Sequence, residues 1–304
     1  MNLRDLEYLV ALDEHRHFGR ASAACFVSQP TLSTQIRKLE AELGVELVER
    51  SGRRVQLTTA GTEVVRRAKH VLADVAEIRS IADQAADPRA GTLRLGIFPT
   101  LGPYLLPHVI PQLREAFPDL RLQLVEEKTD DLVTMLEAGE LDAIVVATPV
   151  VVDGAEVLPL FREDFVLAGP RGDVLLEGPQ MDSADLRGAE LLLLTEGHCL
   201  RDQALEICRT TAASERGHYR ATSMETLRHM VSSGAGRTLL PRLAIAPPVA
   251  PNPGLQIREF ADPAPHRDIA LVWRTGSVYR DLLPQFGEVL RAGPGELVHP
   301  LPAP

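Results

Sequence analysis

Cysteine is scarce in this chain, with three residues in 304, Cys25, Cys199 and Cys208. So few thiols in so long a chain do not make a disulfide scaffold; they point to a reducing compartment. Long apolar runs are missing as well. The most apolar stretch, "LDAIVVATPVVVDGAEVLPL", is broken by Asp142, Asp153 and Glu156 and does not make a bilayer span. The start, "MNLRDLEYLVALDEHRH", mixes acids with its apolar residues, unlike an export signal, so a cytoplasmic protein without a membrane partner is expected. Phosphate-loop, dinucleotide, His-Glu-x-x-His, Gly-x-Ser-x-Gly and Cys-x-x-Cys motifs are all absent, which removes the commonest enzyme signatures. A strong positive charge is lacking too. The net charge is −10, which by itself argues against nucleic acid.

What is present is organised in blocks. The first 70 residues hold 11 Lys/Arg against 9 Asp/Glu, and the remainder 21 against 33; a mildly basic module on an acidic body fits a DNA-binding head joined to a sensing or catalytic domain. "LRDLEYLVALDEHRHF" places Leu6, Leu9, Val10 and Leu12 on one helical face. After the Ala-rich "GRASAACF" comes "VSQPTLSTQIRKLEAELG", with Ser28 as N-cap, Pro30 in the first turn and Gly44 as the stop. Leu32, Ile36, Leu39 and Leu43 form its expected buried stripe, with Thr31, Thr34, Gln35 and Lys38 opposite. "LVERSGRRVQLT" reads as a hairpin around Ser51-Gly52. Three short helices and a hairpin describe a winged helix-turn-helix at residues 1–58. The polar start of its third helix would meet base edges, and Arg53 and Arg54 would lie on phosphates. A small helical protein-interaction module is the alternative.

From Thr58 a long helix is expected to reach almost to Pro88. Val64, Ala68, Val71, Val75, Ile78, Ala82 and Ala85 recur at alternating spacings of four and three, the seam of a dimer-building linker at residues 59–87. Beyond Gly91 strands and helices alternate. "TLRLGIF", "YLLPHVIPQLREAF", "LRLQLVEE", the helix "DDLVTMLEAG" capped by Thr129, and "LDAIVVA" make a parallel α/β group. "DFVLAG", "AELLLLTE", "SMETLRHMVSSGAG", "RTLLP" and "LQIREF" make a second, closed by "DIALVWR" and "YRDLLPQFGEVLRAG". Residues 91–295 are therefore read as two α/β lobes with a ligand cleft at the strand carboxyl ends. The tail 296–304 is expected to be disordered.

Two cysteines share one stretch, "TEGHCLRDQALEICRT". Cys199 follows a strand and is crowded by His198 and Arg201, positive neighbours that would favour a thiolate. A metal site of His198, Cys199, Cys208 and His218 is a rival with no recognised zinc spacing. An ordinary core role remains open for both thiols, and more so for Cys208 and Cys25.

"FGRASAACFVSQPTLSTQIRKLEAELGVELVERSGRRVQLTTAG" resembles the N-terminal domain of LysR-type transcriptional regulators, and the order winged helix, linker helix, two-lobed sensor of the type II periplasmic-binding-protein kind is similar too. "GHCLRDQALEIC" and "PTLGPYLLPHVIP" are similar to the peroxide-sensing members. The resemblance, from Met1 to about Arg291, implies a regulator and not an enzyme. It places Gln29, Pro30, Thr31, Ser33 and Arg53 at the DNA. Cys199 would be the thiol oxidised by hydrogen peroxide and Cys208 its disulfide partner, with Thr100, Thr129 and His198 bordering the pocket and Asp202 supporting it. Promoter or operator double-stranded DNA and RNA polymerase are the implied partners, oxidative-stress genes the targets, and homodimers that pair into homotetramers the assembly, without cofactor or metal. If residues 200–208 are helical, the two Cα atoms lie about 13.5 Å apart, beyond the roughly 7 Å a disulfide tolerates. The implied pair would then be a switch requiring rearrangement. A regulator that binds a metabolite in the cleft, with incidental cysteines, and a thiol peroxidase or disulfide oxidoreductase are the other readings.

Overall fold

The computed structural model describes residues 1–49, 55–84 and 91–302. The chain divides into two compact units, Met1–Asp83 and Gln84–Pro304.

In the first unit, α1 (Leu3–His15), α2 (Phe18–Ala24) and α3 (Gln29–Leu43) precede a short antiparallel hairpin, β1 (Val48–Glu49) with β2 (Gln56–Leu57), and then α4 (Thr59–Gln84). Local chemistry sets these boundaries. Asn2 and Asp5 form a reciprocal capping box on α1. Ser28 caps α3 by accepting from the Thr31 backbone, and Gly44 closes it in the left-handed conformation. Leu9 and Leu12 of α1 pack with Leu32, Ile36 and Leu39 of α3. The expected stripe stops there: Leu43 is 38% exposed, because the core face of α3 ends one turn before the helix does. Glu40 of α3 accepts from the backbone of Leu47 and Val48, which pins β1. The first turn of α4 comes so close to that strand that a Cβ at Gly61 would sit 2.0 Å from the Leu47 carbonyl oxygen; no larger residue fits there.

The 26 residues of α4 span about 39 Å. Its apolar seam starts at the edge of the core, with Val64 half-buried and Ala68 buried, and then emerges, with Val71 42% and Ile78 65% exposed. Ala85, the last seam position, lies outside the described residues, as do Ser51, Gly52, Arg53 and Arg54 of the hairpin tip.

The second unit is built on a nine-stranded sheet. β3 (Thr92–Ile97), β4 (Arg121–Glu126) and β5 (Ala143–Thr148) are parallel, with α5 (Gly102–Ala116) and α6 (Thr129–Glu137) as crossovers. The 16-residue β6 (Ala155–Pro170) runs from one lobe into the other. Its first part pairs antiparallel with β12 (His266–Arg274), which in turn pairs with β5. Its last part pairs with β10 (Thr238–Pro241) and β11 (Leu255–Phe260), and β11 carries the short β7 (Gln180–Met181). In the second lobe, β8 (Glu190–Leu194) pairs in parallel with β9 (Ser214–Ala221), flanked by α7 (Cys199–Thr211) and α8 (Met224–Ser232). α9 (Leu283–Ala292) packs on the first lobe through Phe286, which meets Phe117.

One strand carries no signal in the sequence, and one expectation changes. β9, "SERGHYRA", has no apolar alternation and is a strand because its neighbour β8 offers a free parallel edge. The tail is not disordered up to residue 302. Val298 buries its side chain, β13 (His299–Pro300) pairs with β6, and the Leu301 backbone donates to Leu160. An open strand edge and a buried valine supply the contacts that composition alone does not reveal.

Candidate redox site and DNA-binding surface

Cys199 is the first helical residue of α7, directly past the carboxyl end of β8. Gly197, at φ +86°, makes the turn, and His198 is the extended residue before the helix. Thr100 follows β3, Thr129 opens α6 after β4, and Arg267 stands near the start of β12. Residues from both lobes thus meet at one thiol, past the carboxyl ends of β3, β4 and β8 and near the start of β12.

Opposing influences act on that thiol. Cys199 keeps partial solvent exposure, yet it is set deep enough among protein atoms that burial dominates and pushes its pKa up. Four groups work the other way: the Arg267 charge, the Thr100 and Thr129 hydroxyls and the Leu200 backbone N–H, all of which favour the thiolate. The Thr129 oxygen is buried and has no hydrogen-bond partner; it faces the Cys199 thiol and favours its charged form. Thr129 does not cap α6, since Lys128 occupies the N-cap position.

Arg267 is held from several sides. Its Nε donates to Glu163 at 2.8 Å, Nη1 to the Thr100 hydroxyl at 3.2 Å and Nη2 to the Thr100 carbonyl at 3.0 Å. The guanidinium carbon lies 5.2 Å from the centre of the Phe98 ring. Glu163 also accepts from the Leu243 backbone at 2.8 Å. Arg267 carries little signal in the sequence: it is 68 residues from Cys199, and its local mark is a charge at the head of a strand that then buries apolar residues.

The cations expected beside Cys199 do not supply its positive charge. Arg201 points to the Leu194 carbonyl and pairs bidentately with Glu215 at 2.8 and 2.9 Å. His198 is buried; burial first, then the charge of Lys128, push its pKa down against a hydrogen bond to the Thr222 backbone. Burial thus disfavours its charged form, and it directly precedes Cys199 in the chain. Asp202 is exposed on the first turn of α7, where its charge acts on Arg201.

Cys208 lies near the far end of α7, buried, with its pKa raised by burial and by Glu215. Both thiols are free. One helix separates them by about 13.5 Å at 1.5 Å per residue, so they do not form a bond or share a ligand in this state. Among the described residues, no group of three or more His, Cys, Asp or Glu side chains gathers around a metal position. Cys25, expected to be buried, is half-buried at the C-cap of α2.

In the first unit, Gln29, Pro30, Thr31, Thr34 and Lys38 are exposed on α3, and Ser33 and Gln35 half-exposed. The Thr31 hydroxyl lies 2.7 Å from that of Ser28, so capping fixes its position. Arg53 lies outside the described residues. Among the described residues no helix is long and apolar enough to cross a membrane.

Residues 3–62 match the bacterial regulatory helix-turn-helix protein model of the lysR family, and residues 86–294 match the LysR substrate binding domain. The DNA-binding transcriptional dual regulator OxyR of Escherichia coli K12 is 47% identical over 292 residues, 96% of this chain and 95% of that one. The hydrogen peroxide-inducible genes activator of Dickeya chrysanthemi is 46% identical over 291 residues, 96% and 95% of the two chains. Among solved structures, a full-length OxyR from Pseudomonas aeruginosa superposes with a TM-score of 0.76 at 37% identity, covering 99% of this chain and 98% of that one. The chain belongs to the LysR family of bacterial helix-turn-helix regulators, and within that family to the OxyR group.

Proposed function

We propose that this chain is a cytoplasmic transcriptional regulator that binds promoter DNA and answers hydrogen peroxide through Cys199 and Cys208. The carrying observation is the placement of Cys199: a thiol at a helix N-terminus, between two threonine hydroxyls and a buried arginine, with a second free thiol on the same helix. Burial keeps most of the thiol protonated, while the surrounding groups stabilise whatever thiolate forms. That thiolate attacks one peroxide oxygen; the O–O bond breaks, hydroxide leaves, and a sulfenic acid remains on Cys199. The Cys208 thiolate then attacks the Cys199 sulfur, the S–O bond breaks, and a second hydroxide leaves as the disulfide forms. Because α7 holds the sulfurs apart, the second step requires its first turns to unwind. The new bond therefore converts a chemical event into a change of lobe surface.

The relatives named as peroxide-inducible gene activators support this reading. The exposed start of α3 supports DNA as the partner, and the emerging seam of α4 supports assembly into homodimers and, through the sensor units, homotetramers. Oxidative-stress promoters and RNA polymerase complete the proposal. The test is thiol counting before and after a stoichiometric dose of peroxide. Two thiols should be lost in the wild type. Cys199→Ser should lose none and fail to change promoter binding, and Cys208→Ser should stop at a sulfenic acid trapped by a dimedone probe. A Cys199→Ser protein that still responds would overturn the proposal.

A further inference from the structure

The disulfide requires the segment before and within the first turn of α7 to leave its seat. Arg201 ties that turn to its own lobe through Leu194 and Glu215. The other lobe holds it through Lys128. From the N-cap of α6, Lys128 Nζ donates to the Glu196 carbonyl at 3.1 Å. Its side chain lies across the Cα of Gly197: a Cβ there would come within 2.7 Å of Nζ and 3.1 Å of Cδ. One residue further on, Thr129 faces the thiol. The start of α6 thus grips the Glu196–Cys199 turn at two points, and only one of them depends on the state of the sulfur.

We propose that Lys128 is a positioning residue that latches this turn to the first lobe and so sets how long the Cys199 sulfenic acid persists before Cys208 reaches it. The inference rests on the peroxide-switch reading. Oxidation changes the sulfur that Thr100 and Thr129 hold, whereas the bond from Lys128 goes to a backbone carbonyl and survives the first step. The latch therefore opposes the second step only. Lys128 bonds a backbone carbonyl and not the sulfur, so the first step should proceed without it.

The full-length chain is mixed with a stoichiometric dose of hydrogen peroxide and quenched at intervals. A dimedone-type probe counts sulfenic acid, and acid quenching with mass analysis counts the disulfide. Lys128→Met keeps the aliphatic stem and removes the donor; Lys128→Arg restores a charged donor. With Met, sulfenic acid should form at the wild-type rate and the disulfide roughly two- to tenfold faster, the range for losing one exposed charge-assisted hydrogen bond. With Arg, the disulfide rate should return toward wild type. A wild-type disulfide rate in Lys128→Met would overturn the latch and leave the switch standing, as would an effect confined to sulfenic acid formation. A wild-type chain that forms neither sulfenic acid nor disulfide would overturn the function reading itself.

Discussion

The Glu163 carboxylate and the Arg267 guanidinium approach to 2.7 Å, and neither side chain retains any solvent exposure. The pair joins β6, the strand shared by the lobes, to the head of β12, and it points the guanidinium's remaining donors at Thr100, beside the Cys199 thiol. A buried pair of this kind stabilises little against an apolar substitute, but each partner depends on the other. Arg267→Met should therefore cost about 3–5 kcal/mol in urea unfolding by stranding Glu163. The double variant with Glu163→Leu should recover much of that loss. Cys199 should react more slowly in both, because neither has the cation. Restored reactivity in the double variant would show that the arginine acts on the fold alone.

Thr129 separates chemistry from stability more cleanly. Its buried hydroxyl has no hydrogen-bond partner and faces the Cys199 sulfur. Thr129→Val should leave the unfolding midpoint unchanged or slightly raised, since an under-satisfied polar atom is removed. The alkylation rate of Cys199 by iodoacetamide should fall by roughly three- to tenfold, about the loss of one hydrogen bond to a charged acceptor. An unaltered rate would remove Thr129 from the site.

The pH dependence follows from two shifts of opposite kind. Burial raises the Cys199 thiol, so thiolate is the minor form and alkylation should climb about tenfold per pH unit between pH 6 and 8 without a plateau. His198 is shifted down. The unfolded chain then binds this proton more tightly than the folded one, and the stability it contributes is present above the unfolded value of about 6.5 and lost as pH falls through the lower folded value. Thermal melts should show that loss in the wild type, and His198→Asn should reduce it. An identical acid profile in His198→Asn would place the effect elsewhere.

Much of this was legible in the sequence where signals are local. Ser28, Pro30 and Gly44 bound α3 because caps act within four residues. The parallel β3–β4–β5 group follows from alternating apolar runs with helices between them. The pairing of Cys199 with Thr100 and Thr129 came only with the resemblance, because these residues follow three separate strands. Arg267 stayed hidden for the same reason, and Arg201 misled: proximity in sequence suggested a cation at the thiol, but one helical turn aims it at Glu215. β9 and β13 are strands made by a neighbour's open edge, and neither carries a pattern of its own.

The apolar seam of α4 leads to a prediction about assembly. Val71 and Ile78 are exposed on a helix whose earlier seam residue, Ala68, is buried. A partner helix would cover them in a dimer. Val71→Glu with Val75→Glu should give monomers in light scattering, with each unit still folded by circular dichroism. An unchanged mass would rule the seam out as the dimer contact.

The start of α3 and the hairpin should divide the work of DNA binding. Thr31 is exposed and held by Ser28, and Ser33 is half-exposed beside it; both lie at the end of the helix proposed to meet base edges. Thr31→Ala or Ser33→Ala should therefore weaken the preferred operator by about 1–3 kcal/mol, the value of a base-edge contact, and leave random DNA little affected. Arg53 should act on phosphate. Arg53→Ala should weaken both kinds of DNA similarly and make the salt dependence of log K shallower by about 0.9 for the lost contact. Gel shifts over a range of salt, on an operator selected from a random pool by the wild-type protein and on a scrambled duplex, measure both quantities. If Arg53→Ala spoils only the selected sequence while Thr31→Ala spoils both equally, the two roles are reversed, and the hairpin reads the bases.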